Sequence, residues 1–133
     1  MALYFFGFLL KVSRPFSSIS FSEAKANVIS IANFLLEIGI KKNDKIILCS
    51  QNRSEWAISN FAIMSIGAIV VPTYTSNTIN DHKYILRHSE AKLIFVSGDN
   101  VGENILKALG RNKKIENVVF FENAINLEKK SRI

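Results

Sequence analysis

The sequence is poor in cysteine, and this scarcity excludes several kinds of protein. Its 133 residues include a single cysteine, Cys49. No disulfide can form within the chain, and no zinc cluster built on several thiolates is available. A lone thiol suits a reducing compartment, so we expect a cytoplasmic protein. Cys49 belongs to the apolar run 46–49, which favours a small core residue over a nucleophile.

Long hydrophobic runs are also lacking. Residues 2–10 are mostly apolar and aromatic, but a membrane-crossing helix needs about twenty such residues. The stretch has neither a positively charged start nor a small-residue cleavage site, so it is not typical of a signal peptide. Three interpretations stay open: shallow contact with a membrane interface, packing as a strand, or sequence acquired at a displaced start codon. We therefore treat 1–19 as an atypical apolar segment and expect no transmembrane segment.

Basic residues form no long run, although the formal net charge is +6. They are dispersed as short pairs, and aromatic residues do not interleave with them. A nucleic-acid-binding domain usually concentrates its charge on one face, so we expect no nucleic-acid partner. Weak attraction to anionic lipid headgroups or to a polyphosphate ligand stays open.

Motifs that would carry chemistry are missing too. Neither a P-loop nor a Gly-x-Gly-x-x-Gly fingerprint occurs, and the glycines of 97–102 fit an ordinary strand-to-helix turn. His82 and His88 are six residues apart, which does not place two metal ligands on one helix face, so both are expected on a helix surface. We predict no catalytic, cofactor-binding or metal-binding residue in this chain.

Two features have a functional and a structural interpretation. Trp56 would stack on an adenine or line an acyl tunnel, but a large aromatic more often anchors its helix to the core. The loop Pro72-Thr73-Tyr74-Thr75 follows a strand, at the end where ligands approach open parallel sheets. This loop is the best local candidate for ligand contact, and a turn with satisfied hydrogen bonds is the simpler alternative.

Hydrophobic periodicity predicts alternating helices and strands. A capping box at Ser20-Phe21-Ser22-Glu23 opens a helix that ends at Gly39, with one apolar stripe made of Phe21, Ala24, Val28, Ile31, Leu35 and Ile38. A second helix, 54–66, is apolar nearly all round and starts from the spacing of Asn52 and Glu55, so we expect it to be buried on more than one side. Further helices are expected at 78–88 and 103–109, and strands at 46–49, 69–71, 92–96 and 117–121.

This order predicts an α/β fold. A helix followed by β-α-β-α-β-α-β gives a mainly parallel sheet of about four strands with helices on both faces. Continuous apolar strands such as 46–49 agree with a sheet covered on both faces. We expect one α/β domain over 20–121 and a frayed tail over 122–133.

Several segments of 20–121, taken in order, resemble AMP-forming acyl-CoA synthetases, the adenylate-forming superfamily. Ser20-Phe21-Ser22-Glu23 is similar to Thr-Tyr-x-Glu, and the segment from Gly39 to Ile46 is similar to Gly-Val-x-x-Gly-Asp-Arg-Val, with Asn43 in place of a glycine. Asn52-Arg53-Ser54-Glu55-Trp56 is similar to Asn-Arg-Pro-Glu-Trp, with Ser54 in place of proline. The segments from Gly67 to Tyr74 and from Tyr84 to Lys92 also match. The Glu-Trp and Pro-x-Tyr features resemble the long-chain fatty-acid–CoA ligase branch.

The resemblance implies an amino-terminal fragment of such a ligase. The family activates a carboxylic acid with Mg-ATP to an acyl-adenylate and then forms a thioester with coenzyme A, in fatty acid and lipid metabolism. Its Thr-Ser-Gly-Thr-Thr-Gly loop, its Tyr-Gly-x-Thr-Glu motif and its carboxyl-terminal domain with a lysine have no match here. ATP, Mg and coenzyme A are thus implied for the full-length enzyme and not for this chain, which we expect to be inactive alone. The missing downstream part would be a partner as a separate chain; the alternative is a non-catalytic α/β interaction module that complements a second polypeptide.

Overall fold

The computed structural model describes residues 2–5, 20–98, 100–110, 112 and 114–121. Strands and helices alternate along most of this length. The strands are β1 (Ala2–Phe5), β2 (Lys45–Cys49), β3 (Ile69–Pro72), β4 (Leu93–Val96) and β5 (Asn117–Phe120). The helices are α1 (Phe21–Glu37), α2 (Ser54–Ser65), α3 (Ile79–Ser89) and α4 (Asn100–Leu109).

These strands form one parallel sheet in the order β1-β5-β4-β2-β3. From β2 the chain moves outward to β3, and it then returns past β2 to form β4 and β5 on the other side. Right-handed crossovers in opposite directions place the connecting helices on opposite faces. The fold is therefore a doubly wound α/β sheet, as the alternation of elements predicted.

A fifth strand extends the sheet beyond the four that were expected. β1 pairs with β5 in parallel, from Ala2 opposite Asn117 to Phe5 opposite Phe120. The ring of Tyr4 packs edge-on against Phe34 of α1, with 4.9 Å between ring centroids. Of the three interpretations of the apolar start, residues 2–5 adopt the strand. Residues 6–19 and the expected frayed tail 122–133 lie outside the described residues, and the domain limits 20 and 121 stay a prediction.

Both glycines expected at helix ends have the left-handed conformation that stops a helix. Gly39 has φ +93° and Gly67 has φ +79°. After α1, the Gly39 and Ile40 N–H groups donate to the Leu36 and Leu35 carbonyls at 3.1 and 3.0 Å. The same pair of hydrogen bonds closes α2. This Schellman arrangement satisfies carbonyls that a helix end would leave unpaired.

The apolar stripe of α1 is centred differently from the predicted one. Ile31 and Leu35 are fully buried, but Phe21 is 88% exposed, and Asn27 is buried. At 100° per residue, Phe21 lies about 80° around the helix from Ile31. Asn27 lies only about 40° away, so it faces the sheet although it is polar. The inclusion of Phe21 in the buried stripe was wrong.

Two hydrophobic clusters occupy the two faces of the sheet. The first joins α1 and α2 to one face, and the second joins α3 and α4 to the other. Alternate residues of β2 enter different clusters, with Ile46 and Leu48 in the first and Ile47 and Cys49 in the second. We call α1 with α2 the first helical layer and α3 with α4 the second helical layer. A sheet covered on both faces accounts for strands without polar alternation.

Helix α2 is buried on more than one side, as its composition predicted, but it is not buried all round. It packs on α1 and on the sheet, with Ile58, Ala62 and Ile63 buried. Trp56 is half-buried and packs against the first cluster, as a core anchor does. Phe61 and Met64, however, are 57% and 51% exposed. The helix therefore buries two sides and presents apolar surface on its outer side.

Candidate functional site

The winding of the sheet marks one edge as the place for a ligand. Connections leave β2 and β4 in opposite directions, so the switch point lies between these neighbouring strands. In open α/β sheets, ligands bind in the crevice outside the carboxyl ends of strands at such a point. The segments that leave β2, β3, β4 and β5 there form what we call the carboxyl edge.

An arginine–glutamate pair dominates the turn after β2. Arg53 Nε and Nη2 lie 3.0 Å from Glu55 Oε2 and Oε1, respectively. The Glu55 side chain is 8% exposed and that of Arg53 is 30% exposed. The guanidinium also lies 5.9 Å from the ring centroid of Phe121, just after β5. Two parallel charge-assisted hydrogen bonds hold the turn in one geometry and link it to the end of another strand.

Helix α2 begins at Ser54, as predicted, but its N-cap residue differs from the one that the spacing of Asn52 and Glu55 indicated. Arg53, not Asn52, is the N-cap residue, with φ −158° and no side-chain capping bond. Its carbonyl accepts from the Trp56 and Ala57 N–H groups at 3.1 and 3.3 Å. Glu55 uses its carboxylate on Arg53 and lies in the first turn, where the helix dipole favours an acid. The polar turn after β2 therefore has a structural role, and we call its Arg53–Glu55 pair the clasp.

The loop after β3 lies beside this clasp on the carboxyl edge. The Thr73 N–H donates to the Leu48 carbonyl at 3.1 Å, and the Cys49 thiol lies 3.7 Å from the Tyr74 carbonyl. The Tyr74 side chain is 78% exposed. Within the described residues, Thr73 Oγ1 is buried without a hydrogen-bond partner. This loop, Pro72 to Thr75, stays the local candidate for ligand contact, since its backbone is anchored and its tyrosine is accessible.

Cys49 and the glycines after β4 have structural surroundings. Cys49 is fully buried in the second cluster, as expected for a small core residue. The Ser97 N–H donates to the Cys49 carbonyl at 3.3 Å, and α4 begins at Asn100. Gly102 lies buried inside α4, so it does not belong to a phosphate-binding loop. The stretch is a strand-to-helix turn.

His82 is buried, which contradicts its expected place on a helix surface. It is 1% exposed, and its Nε2 has no hydrogen-bond partner among the described residues. Burial lowers the pKa of His82, and the neighbouring Asp81 carboxylate opposes that shift. The four-residue spacing of His82 and Leu86 places both on the inner face of α3. That spacing was the available signal, and the polarity of histidine obscured it.

His88 has the exposed position that was expected. Its ring stacks on Tyr84 one turn earlier, with 5.3 Å between ring centroids. The two histidines thus lie on different faces of α3. Across the parts of the chain that the structure describes, no three His, Cys, Asp or Glu residues are grouped to hold a metal ion.

Among the residues that the structure describes, the groups at the carboxyl edge do not form a binding site for a nucleoside triphosphate. Arg53 is already paired with a buried carboxylate, and the turn after β4 has no glycine-rich cradle. Such a ligand needs several backbone N–H groups or unpaired cations directed at its phosphates.

No helix in the described ranges is long and apolar enough to span a membrane.

Comparison with known proteins agrees with this architecture. The family model described as AMP-binding enzyme matches residues 6–132. A long-chain-fatty-acid–CoA ligase, FadD15 of Mycobacterium tuberculosis (strain ATCC 25618 / H37Rv), is 30% identical over 89 residues, which are 67% of this chain and 15% of that protein. Fatty acyl-CoA synthetase A of Dictyostelium discoideum is 34% identical over 92 residues, covering 69% of this chain and 14% of that protein.

Solved structures share the fold at lower identity. The anthranilate CoA ligase AuaEII, in complex with anthranoyl-AMP, superposes with a TM-score of 0.76 over 98% of this chain and 23% of that one, at 22% identity. Coronafacic acid ligase from Pectobacterium brasiliense gives a TM-score of 0.76 over 94% of this chain, at 20% identity. The doubly wound sheet is thus the type found within adenylate-forming ligases.

The chain belongs to the family of AMP-binding enzymes, as the match over most of its length shows. It spans about 15% of the length of the curated relatives that it matches. The resemblance drawn from the segments between Ser20 and Lys92 is confirmed at the level of the family and of long-chain ligase relatives.

Proposed function

We propose that the chain is the amino-terminal α/β part of a long-chain fatty-acid–CoA ligase, with its domain at 20–121. The observation that carries this proposal is the family match together with the Arg53–Glu55 clasp. In this proposal, the clasp is the structural reason for the Asn-Arg-x-Glu-Trp segment, since it fixes α2 against the sheet.

The complete enzyme would use ATP, Mg and coenzyme A in fatty acid metabolism. The chemistry requires donors for the triphosphate, acidic groups for the metal and a lysine for the developing charge. We assign none of these roles to a residue of this chain. Its contribution is a rigid sheet, and we propose that it is inactive alone in the cytoplasm, without a nucleic-acid partner.

The outer face of the first helical layer supports this assignment to a larger assembly. Large apolar side chains with exposed fractions between 49% and 88% project from both helices there, namely Phe21, Ile29, Leu36, Phe61 and Met64. Contiguous exposed apolar surface usually marks an interaction site. We propose that the rest of the ligase covers this face, as a separate polypeptide or as the continuation of the same one.

The test is ATP–pyrophosphate exchange dependent on a long-chain fatty acid. The purified chain is expected to give no exchange, because it lacks the phosphate loop and the lysine. Addition of a polypeptide that carries those motifs is expected to produce exchange. Acid-dependent exchange by this chain alone would overturn the proposal.

A second candidate is a non-catalytic interaction module, favoured by the same apolar face. The two candidates predict different activities for the complex with the second polypeptide. A stable complex with the polypeptide that carries the missing motifs, but without exchange activity, would favour the module. Exchange activity in that complex would favour the ligase.

A further inference from the structure

A second concave region lies away from the carboxyl edge, between α3 and the turn that follows α4. Its volume is about 640 Å³, within the range typical of ligand pockets. Lys83 and Arg87 of α3 form one wall. Helices α3 and α4 return the chain to the starts of β4 and β5, so their carboxyl ends lie at the opposite edge of the sheet from the candidate site.

Two of its wall residues, Lys83 and Arg87, are cations that have no partner among the residues that the structure describes. Lys83 and Arg87 are four residues apart on α3, so their side chains are neighbours. In the described part of the chain, neither side chain has a hydrogen bond or an ion pair. Like charges at this spacing destabilise a helix, and a bound anion would remove that repulsion.

The opposite wall supplies an amide donor in a fixed orientation. The Asn112 N–H donates to the Leu109 carbonyl at 2.7 Å, and Asn112 Oδ1 accepts from the Lys114 N–H at 2.9 Å. Because the oxygen is engaged, the amide nitrogen of Asn112 is the group left to donate. A Cβ built on Gly110 would meet no atom within 4 Å, so the space beside this turn is open.

The charge balance in this cavity is positive. Lys114 adds a third cation, and Glu90 lies 3.6 Å from it as an exposed partner. Exposed ion pairs of this kind bind weakly, so an anion competes for Lys114. The carboxyl ends of two helices each add about half a negative charge. The positive charge of Lys83, Arg87 and Lys114 therefore exceeds the local negative charge by about one unit. Buried Ala108 and Leu109 form the apolar floor of the cavity.

We propose that this cavity binds the phosphate group of a small phosphate ester, with Arg87 and Lys83 as its principal contacts. The planar guanidinium suits two oxygens of one phosphate, and the ammonium contributes a point charge. Asn112 donates from the other side. This site is independent of the ligase assignment and shares no residue with the carboxyl edge.

The test is titration of the 133-residue chain with inorganic phosphate and with glycerol phosphate at constant ionic strength, followed by amide chemical shifts. The expected shifts are centred on Lys83, Arg87 and Asn112. Arg87→Gln is expected to weaken binding about tenfold, as loss of a charge-assisted hydrogen bond does. Lys25→Gln removes the same charge from an exposed site on α1, across the sheet, and is expected to leave binding unchanged.

Three results would overturn the proposal. The first is an absence of saturable shifts around the cavity. The second is equal weakening by Arg87→Gln and Lys25→Gln, since this is the signature of non-specific attraction. The third is binding only to vesicles of phosphatidylcholine and phosphatidylserine, with no binding of free phosphate esters. Far-UV circular dichroism checks that both variants keep the fold, and Arg87→Lys, which keeps the charge, is expected to retain part of the affinity.

Discussion

The two helical layers bury similar cores but expose different surfaces. In the first layer, apolar side chains such as Leu36, Phe61 and Met64 face outward. In the second layer, Tyr84 is the large apolar residue that is exposed among those described, and the charged residues Asp81, Lys83 and Arg87 share its helix. The second layer therefore presents a mostly polar surface, whereas the first presents exposed apolar side chains of the kind that protein–protein interfaces use.

Under the proposed assembly, folding and docking use separate parts of one helix. In α1, Leu35 is fully buried against the sheet, while the next residue, Leu36, is 54% exposed. Neighbouring residues on a helix point about 100° apart, so one leucine contributes to the core and the other to the outer face. The predictions that follow use such pairs to separate the two roles.

The largest expected effect separates these two leucines. Leu35→Ala is expected to lower the free energy of unfolding by about 2–5 kcal/mol, because it leaves a cavity in the first cluster. Leu36→Ala is expected to cost less than about 1 kcal/mol in the isolated chain. Urea denaturation of both variants measures the contrast. Equal losses would mean that the outer side of α1 is already covered.

The next effect compares an ion pair in each layer. Arg53→Ala removes both hydrogen bonds from the guanidinium to the buried Glu55 carboxylate. It is expected to lower the free energy of unfolding by about 2 kcal/mol, less than for a fully buried pair because Arg53 is partly exposed. Lys107→Ala removes the exposed i,i+4 pair with Glu103 on α4 and is expected to cost less than about 0.5 kcal/mol. Thermal unfolding measures both. A larger loss for Lys107→Ala would contradict the structural role of the clasp.

A pH-dependent effect is expected from the second layer. The pKa of His82 is lowered from its ordinary 6.5 by burial, so the unfolded chain binds more protons below that pH. The contribution of neutral His82 to the free energy of unfolding is therefore fully present above about pH 7.5. It is lost as the pH falls through 6.5 towards the pKa of His82 in the folded chain. The pKa values of Asp44 and Asp81 are lowered from 3.8, so these carboxyls act only at more acidic pH.

Two histidine variants isolate this effect. His82→Leu is expected to flatten the decline in the free energy of unfolding between about pH 7.5 and pH 5. His88→Gln changes an exposed histidine on the same helix and is expected to keep the decline. Denaturant titration at both pH values measures the slope. An unchanged slope in His82→Leu would contradict the assignment.

The smallest effects concern two residues with positive φ. Asn43 before β2 has φ 71°, and Glu90 after α3 has φ 57°. Glu90→Gly is expected to gain about 1 kcal/mol, and Asn43→Gly less, since asparagine tolerates this conformation. Differential scanning calorimetry resolves both gains. A loss in Asn43→Gly would show that its side chain has a role beyond the turn.

Local signals in the sequence predicted much of the fold. Gly39 and Gly67 end helices where expected, and the apolar run 46–49 lies inside β2. A strand was only one of three interpretations of the apolar start of the chain. Its partner β5 lies at the other end of the chain, and the spacing of residues in the sequence does not indicate which distant strands pair. Asn43 occupies the place of a family glycine, and its left-handed φ gives the physical reason for glycine there.

Less of the site was predictable, because its features depend on tertiary contacts. Asn52 is the better capping residue by type, but the N-cap residue is Arg53, which pairs with Glu55 and lies 5.9 Å from the ring centroid of Phe121. His82 was expected on a helix surface, whereas it is buried on the inner face of α3. The pairing of Arg53 with Glu55 has no signal in the sequence pattern, whereas the spacing of His82 and Leu86 was a weak signal for the buried face of α3.

The most direct test of the account is whether the outer face of the first layer binds the rest of the ligase. The measurement is co-purification with a separately expressed polypeptide that carries the remaining portion of the enzyme. Phe61→Glu, which places a charge on that face, is expected to abolish the complex, and Lys107→Glu on the second layer is expected to leave it intact. Loss of the complex in Lys107→Glu, with Phe61→Glu still bound, would contradict the account.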